Sequence, residues 1–373
     1  MIIVATGISG TGEKEYLNRL VEYADKRGKK IKVFNSGDMF FEQARRLGIR
    51  ANIDNIFHMD RNTSCALRGG VFEQIIGETP KLLEQNYAIL VNMHGSFFFD
   101  DQYSESIDYH YLSSLTPNFY INFLNNADLV THSLRLRRQF RFLFKNRDDA
   151  YVLERIMEWQ TVEILITRVV SSFSKKKFFV VPASGNASVL FRLMFEPWRK
   201  MFYFGMPLTF LHDEKYKEAR ERINKIAEWL DRYVILIDPR YIEPLKVGQL
   251  TAEHSNKSVH NNVVGRDCNI MIPQCDGMFG FYPDNVHSYG ENYEQSEMYR
   301  ITGDTFRVFP KNELLSPFFT KWVDEIFQTE KEFKNTFLDY LGKEYLDKVT
   351  EVEKCYIENN DGASQTSGDE KHV

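Results

Sequence analysis

The sequence has few cysteines, no long apolar run and no excess of basic residues, and each absence removes a class of protein. The 373 residues include four cysteines, Cys65, Cys268, Cys275 and Cys355, and none of them forms a CxxC pair. This spacing predicts neither a metal site nor a disulfide framework and is typical of a protein of the reducing cytosol. No apolar run approaches the roughly 20 residues that span a bilayer, so we expect no membrane contact. A net charge of −5 argues against a nucleic-acid-binding protein, which would present a basic face.

The composition is that of a folded globular chain. Hydrophobic residues make up 43% of the sequence and charged residues 27%, which excludes a largely disordered protein. The length favours two domains over one. The chain begins with an apolar run, Met1–Ala5, without the basic region of a signal peptide, and this run predicts a buried first strand.

Strand-like and helix-like segments alternate along the chain, which predicts an α/β protein with parallel sheets. We expect two Rossmann-like three-layer domains, residues 1–190 and 195–320, followed by C-terminal helices over 321–357 and a disordered tail over 358–373. The boundary between the domains is placed between Pro182 and Trp198. The predicted strands are Ile2–Thr6, Lys30–Phe34, Tyr87–Met93, Met201–Gly205, Tyr233–Ile237, Met278–Tyr282 and Thr305–Phe309, with weaker candidates at Leu129–His132, Phe178–Val181 and Ile270–Ile272.

A glycine-rich loop follows the first strand and precedes a helix. Glycines in this position let backbone N–H groups surround phosphate oxygens at a helix N-terminus. The complete P-loop pattern continues with Lys and then Ser or Thr, whereas this sequence continues with Glu13 and Lys14. A carboxylate thus stands where the phosphate-binding ammonium belongs, and Lys14 comes one position late. The candidate nucleotide-binding residues of this loop are Gly7, Gly10, Thr11, Gly12 and Lys14.

Over roughly residues 1–185 the sequence resembles archaeal-type adenylate kinases. The resemblance implies a P-loop kinase fold that binds nucleotides, with ATP and Mg²⁺ as ligands if phosphoryl transfer is retained. Because the loop departs from the pattern, three interpretations stay open: a working kinase, a nucleotide-binding or sensing domain without phosphoryl transfer, and a structural relic. Beyond the loop, the resemblance depends on Ser36–Ala44, Asp60-Arg61, Arg68, Val91–Gly95 (with Asn92 where aspartate is usual) and the arginines Arg135, Arg137, Arg138 and Arg141.

A second set of motifs lies between residues 200 and 320 and resembles nucleoside 2-deoxyribosyltransferases and 2-deoxynucleoside 5-monophosphate N-hydrolases. The pattern Ser-x-Gly-x-x-Tyr-Glu stands here as Ser288–Glu294, and an Arg-Asp pair, Arg266-Asp267, precedes it. The resemblance implies that Glu294 is a nucleophile, which captures the sugar carbon when the N-glycosidic bond breaks. It also implies that Asp267 is the acid that assists the leaving base.

The same segment supplies candidate substrate-binding residues. Ser288 and Gly290 would bind a 5′-phosphate at a helix N-terminus. The remaining candidates are Tyr203, Gly205 and Asp276, although Tyr203 could equally be a core strand residue and Asp276 could simply cap a turn. His254 and His287 read as polar loop residues. No cofactor or metal is expected for the glycosidase reaction.

Together these features predict a nucleotide-processing enzyme that cleaves, or transfers at, an N-glycosidic bond through a glycosyl-glutamate intermediate. A nucleotide-depleting role in defence would fit this pairing of domains. The partners expected are small-molecule nucleotides and a second copy of the chain, because the resembled families complete their site with a neighbouring subunit. The alternatives are a nucleoside or nucleotide kinase that uses ATP, an NAD-cleaving hydrolase, and a non-catalytic nucleotide-responsive protein.

Overall fold

The computed structural model describes residues 1–208, 216–243, 257–283, 288–310 and 315–366, with the backbone alone for 257–260 and 358–366. The chain divides into two compact units. The first unit holds Met1–Asp25, Lys29–Ser184 and Tyr241–Asn262; the second holds Lys26–Gly28, Gly185–Arg240 and Val263–Val373. The segment Tyr241–Asn262 therefore groups with the first unit, although it follows the predicted boundary in sequence.

The first unit is built on a five-stranded parallel sheet. Its strand order is β2-β3-β1-β6-β7, and a separate antiparallel hairpin pairs β4 with β5. The strands are β1 (Ile2–Thr6), β2 (Lys30–Asn35), β3 (Tyr87–Met93), β4 (Ser96–Phe99), β5 (Gln102–Glu105), β6 (Phe119–Leu124) and β7 (Lys177–Pro182). The helices are α1 (Glu13–Asp25), α2 (Ser36–Arg46), α3 (Arg61–Glu84), α4 (Tyr109–Leu115), α5 (Ala127–Arg135), α6 (Arg141–Phe144) and α7 (Asp149–Phe173).

The central strands of this sheet are covered on both faces. All residues of β1 and β6 are buried, as expected for parallel strands that lie between layers of helices. The longer helices are fixed at their starts by side-chain caps, Asp60 on Thr63 N at 2.9 Å and Asp148 on Tyr151 N at 2.7 Å. The carboxyl ends of β1 and β3 consequently meet at one edge of a rigid sheet.

The second unit has its own five-stranded parallel sheet, in the order β12-β11-β10-β8-β9. This is the strand order of flavodoxin-like sheets, which bind ligands at the carboxyl edge between the first and third strands. The strands are β8 (Met201–Gly205), β9 (Ile235–Ile237), β10 (Gly277–Phe281), β11 (Asp304–Val308) and β12 (Glu325–Phe327). The helices are α8 (Ala187–Phe195), α9 (Lys217–Asp231), α10 (Lys257–Arg266), α11 (Tyr289–Arg300), α12 (Pro317–Thr320), α13 (Glu330–Leu341) and α14 (Lys343–Thr366), and α10 continues into a π-helical turn over Asp267–Met271.

Phenylalanine fills much of the second unit's core. Phe279 of β10 stacks on Phe333 of α13 with ring centroids 4.0 Å apart, and Phe202 meets Phe337 edge to face at 5.3 Å. A capping box between Thr329 and Glu332 starts α13, the helix that carries Phe333 and Phe337. The core therefore locks α13 onto one face of the sheet.

The fold confirms the prediction of an α/β chain with parallel sheets, and it corrects several predicted elements. The strand candidate Leu129–His132 lies inside α5, and Ile270–Ile272 lies in the π-helical turn and the 3₁₀ turn after it. Strands β4, β5, β6 and β12 were not predicted. The backbone of α14 is helical to Thr366, which lies beyond residue 358, where the disordered tail was predicted to begin.

Within the described ranges, no helix combines the length and apolarity needed to cross a bilayer.

Candidate functional site

The glycine-rich loop of the first unit joins the carboxyl end of β1 to the first turn of α1. Gly10 and Gly12 have φ angles of 87° and 88°, a conformation that glycine adopts without strain. A Cβ on Gly10 would also lie 3.1 Å from the Leu134 side chain. The carbonyl of Thr11 is held by Asn125 Nδ2 at 2.7 Å, while its hydroxyl is buried without a hydrogen-bond partner among the described residues. The sequence thus places its glycines where the loop must turn around a ligand.

The two residues after the loop, Glu13 and Lys14, have different surroundings. Lys14 forms an ion pair with Asp38 of α2, with Nζ–Oδ distances of 2.6 and 2.8 Å, and both side chains are more than half exposed. Burial raises the pKa of the Glu13 carboxyl, while the charges of His94 and Arg137 and its own backbone N–H act in the opposite direction. The lysine is therefore engaged with α2, and the carboxyl group lies at the loop.

A histidine and a buried glutamate stand next to the loop at the end of β3. His94 Nδ1 lies 2.6 Å from the Gly7 carbonyl oxygen. Glu163 of α7 accepts hydrogen bonds from Gly95 N at 2.5 Å and from Ser96 N and Oγ, both at 2.6 Å. A Cβ on Gly95 would lie 3.2 Å from this carboxylate, so glycine allows the close approach. Sequence reasoning missed Glu163, whose only signal was a charged residue on the apolar side of a long helix.

One cavity of about 880 Å³ connects the loop with a group of arginines. Its wall also contains apolar side chains, among them Phe41, Phe57 and Phe97, which suit the flat face of a base. Basic side chains on the wall can meet phosphate charge by bidentate contacts. The polar and charged lining includes Ser9, Glu13, Lys14, Asn35, Asp38, Arg61, Ser64, Arg68, Asn92, His94, Arg137 and Arg138.

The residues at this site do not fit the Mg²⁺ ion that P-loop enzymes use. Such an ion is held by the Ser or Thr after the P-loop lysine and by an aspartate at the end of a neighbouring strand. Here Lys14 and Asn92 occupy these places, and Asn92 donates to Asn35 Oδ1 at 3.1 Å. The described residues contain no cluster of three or more His, Cys, Asp or Glu side chains that could hold a metal.

The second unit brings the predicted nucleophile and acid into one neighbourhood. Tyr203 of β8 donates its hydroxyl to Glu294 Oε1 of α11 at 3.3 Å. Asp267 is buried in the π-helical turn and receives two hydrogen bonds from Arg266, at 2.9 and 3.1 Å. The pKa of the intervening Cys268 thiol is raised to about 12 by burial and by the negative charges of Glu294 and Asp267. Both carboxyl groups therefore act on the same thiol, and π-helical turns of this kind are frequent at functional sites.

The predicted substrate-binding residues separate into two groups. Ser288 caps α11, where its Oγ accepts from Glu291 N at 3.2 Å. Gly290 follows in the first turn, where an added Cβ would make only an ordinary contact, 3.9 Å from Ser288 Oγ. Gly205 ends β8, close to this helix start. Asp276 lies at the opposite, amino edge of the sheet, where its Oδ2 accepts from Met201 N at 2.7 Å. The assignment of Asp276 to substrate binding is therefore corrected: it ties two strand starts together.

An unexpected carboxyl group lies beneath the start of α11. Glu291 is buried, and neither of its carboxyl oxygens finds a hydrogen-bond partner among the described residues. A Cβ on Gly205 would lie 2.9 Å from its Cγ and one on Gly280 would lie 2.1 Å from its Oε1, so two paired glycines make the room it occupies. Burial raises the pKa of Glu291 to about 8, and Arg307 acts against this increase. Its only signal in the sequence was a glutamate in a first helical turn.

Comparisons with known proteins support the predicted resemblance of the first unit and show nothing for that of the second. No protein-family model matches the chain. Over 147 residues the chain is 26% identical to an adenylate kinase of Pyrococcus horikoshii, a match that covers 39% of this chain and 68% of that protein. A shikimate kinase structure from Bacteroides thetaiotaomicron superposes with a TM-score of 0.29 at 12% identity and covers 48% of this chain and 86% of that one. The first unit is thus kinase-like with a P-loop, in line with its predicted resemblance, whereas the predicted type of the second unit stays a prediction.

Proposed function

We propose that the first unit binds a nucleoside triphosphate on the glycine-rich loop and an acceptor nucleotide beside it, in the manner of a nucleotide kinase. The observation that carries this proposal is the single cavity of about 880 Å³ that joins the loop to Arg61, Arg68, Arg137 and Arg138. A phosphoryl-transfer site must hold two phosphate groups side by side. Here the loop could hold the phosphates of the donor, and the arginines could hold those of the acceptor. The partial sequence identity to an adenylate kinase agrees with this function.

The proposed site can act through positioning and charge. Backbone N–H groups at the start of α1 would hold the phosphates of the donor, and the apolar wall would hold its base. Arg137 and Arg138, which line the cavity after α5, would neutralise charge on the transferred group. Because Glu13 and Lys14 depart from the P-loop pattern, we expect slow transfer and weak dependence on magnesium.

Label transfer tests this function. Purified protein is incubated with γ-labelled ATP and a panel of mononucleotides, with and without magnesium, and the products are separated by chromatography. We expect labelled diphosphate, and we expect loss of that product in the Arg137→Ala and Arg138→Ala variants. Binding of ATP without any label transfer would reduce the function to nucleotide binding, and absence of ATP binding would contradict the proposal.

A second candidate function belongs to the second unit: cleavage of an N-glycosidic bond in a nucleotide. The observation that favours it is the hydrogen bond between Tyr203 and Glu294, together with the electrostatic effect of both Glu294 and the buried Asp267 on the Cys268 thiol. In this reaction Glu294 would bond to the sugar carbon as the base departs, Asp267 would assist the leaving base, and water would then release the sugar. Incubation with nucleotides and NAD, with free bases measured by chromatography, tests this candidate.

A further inference from the structure

The loop of the first unit lacks the ammonium group that P-loop proteins place against their phosphates. Glu13 stands in the lysine's position, and the ammonium of Lys14 is 2.6 Å from Asp38. A phosphate chain on this loop would therefore meet an additional negative group where it normally meets a positive one. Some other cation close to the loop has to balance the charge if a nucleotide is to bind.

His94 lies beside the glycine-rich loop, where a positive charge could contact bound phosphates. Its Nδ1 is 2.6 Å from the carbonyl oxygen of Gly7, the first residue of the loop. A carbonyl oxygen only accepts, so Nδ1 carries the hydrogen of this bond. Nε2 makes no hydrogen bond to any described residue, and the ring lines the same cavity as the loop. The second nitrogen is therefore available to a ligand.

Two carboxyl groups of the first unit, Glu13 and Glu163, lie within electrostatic reach of His94. The positive charge of His94 lowers the pKa of Glu13 and of Glu163, and it is the largest influence that opposes burial at either carboxyl group. Arg137 is the other cation that acts on Glu13, and it belongs to the exposed segment after α5, whereas His94 follows a central strand.

The segment that carries His94 is held in place by hydrogen bonds to side chains of α7. Glu163 receives three hydrogen bonds from the next two residues, and Trp159 Nε1 donates to Ser96 Oγ at 3.1 Å. An arrangement in which a buried carboxylate fixes a turn that presents an imidazole is typical of positioned functional groups. The ring is thus set against the loop before any ligand arrives.

We infer that His94 is the phosphate-contacting cation of this loop and takes the place of the absent P-loop lysine. This inference rests on the proposed nucleotide-binding function of the cavity. When a nucleotide binds, its phosphate oxygens accept a hydrogen bond from Nε2, while Nδ1 keeps its hydrogen bond to the Gly7 carbonyl oxygen.

Binding measurements on the full chain test the inference with adenosine, AMP, ADP and ATP. The variant His94→Gln keeps an amide that can still donate to the Gly7 carbonyl but cannot carry charge. We expect ATP affinity to fall about tenfold or more, the loss typical of a charge-assisted hydrogen bond, while adenosine affinity stays unchanged. His110→Gln, an exposed histidine on α4, is the matched control and should bind ATP as the wild type does.

The outcomes separate the inference from the function beneath it. Equal ATP affinity in His94→Gln and wild type would overturn the role of His94 and leave nucleotide binding intact. Equal loss of adenosine and ATP affinity would show that the ring only supports the cavity, which also overturns the inference. If the wild type binds none of the four ligands, the proposed function itself fails.

Discussion

At the scale of single residues, the glutamate at position 13, where the P-loop pattern has lysine, has the most direct consequence for the first unit. A carboxylate about 4 Å from a phosphate oxygen costs roughly 4 kcal/mol at an effective dielectric constant of about 20, before screening by salt. Its raised pKa reduces this cost, because the protonated form is neutral. The charge at position 13 should therefore control how tightly the loop holds phosphates.

We predict that Glu13→Lys tightens ATP binding and makes His94 dispensable. The new ammonium would restore the contact that P-loops use, so the loss caused by His94→Gln should shrink in the Glu13→Lys background. Calorimetric titration of the four proteins with ATP gives this double-mutant cycle. Weaker or unchanged ATP affinity in Glu13→Lys would show that this side chain does not face the phosphates.

Glu291 makes a different prediction, for the stability of the second unit. Burial raises its pKa from 4.5 to about 8, so the folded state holds a proton that the unfolded state releases. The free energy of unfolding is then not reduced by this group below pH 4.5, and it falls as the pH rises from 4.5 towards 8. The difference corresponds to about 5 kcal/mol at most, at 1.36 kcal/mol per pKa unit.

In Glu291→Gln this loss should disappear, because the amide does not titrate. Urea unfolding at a series of pH values between about 5 and 9 measures the change. Glu344→Gln, an exposed carboxylate on α14, is the control and should follow the wild type. A wild-type curve as flat as that of Glu291→Gln would mean that this carboxyl group is solvated in the folded protein.

At the scale of helices and strands, local signals predicted the elements that depend on apolar runs and missed those that depend on capping. Strands β1, β3 and β8 could be predicted because each contains a continuous run of apolar residues. Leu129–His132 looked like a strand, but Asn126 accepts hydrogen bonds from Asp128 N at 2.8 Å and Leu129 N at 3.4 Å and so starts α5. Strand β6 was missed because Asn122 interrupts its apolar run, and its amide is satisfied by Thr6 Oγ1 at 2.9 Å.

The candidate sites divide in the same way. Residues within a contiguous motif, such as Gly10, Gly12 and Glu294, could be selected from the sequence because their spacing carries the pattern. Glu163 could not, since its role depends on a contact with Gly95, which is 68 residues away in the chain. Glu291 likewise owes its burial to Gly205 and Gly280, which only the strand register brings together.

The cap of α5 supplies the prediction at this scale. Asn126→Ala should destabilise the first unit by about 1 kcal/mol, because two N–H groups at the helix start lose their acceptor. Asn126→Asp retains the acceptor oxygens and should recover most of this free energy. Thermal unfolding of the three proteins tests it, and an unchanged midpoint for Asn126→Ala would show that the helix start is solvated.

At the scale of the whole molecule, each unit holds one candidate site on its own sheet. The loop, His94 and Glu163 belong to the first unit, whereas Tyr203, Asp267 and Glu294 belong to the second. Each set is positioned by hydrogen bonds within its own unit. The two candidate functions should therefore be separable by single substitutions.

We predict that Glu294→Gln abolishes release of free base and leaves ATP affinity unchanged, whereas His94→Gln weakens ATP binding and leaves base release unchanged. A nucleophile contributes to the transition state and to the covalent intermediate but little to ground-state binding, so Glu294→Gln should keep its nucleotide affinity. Asp267→Asn should also slow base release, and combining it with Glu294→Gln should add little, because both residues serve one reaction. Base release and ATP binding are measured on the same preparations. Base release at the wild-type rate by Glu294→Gln would remove the nucleophile assignment, and loss of base release in His94→Gln would show that the second site works only when the first holds its nucleotide.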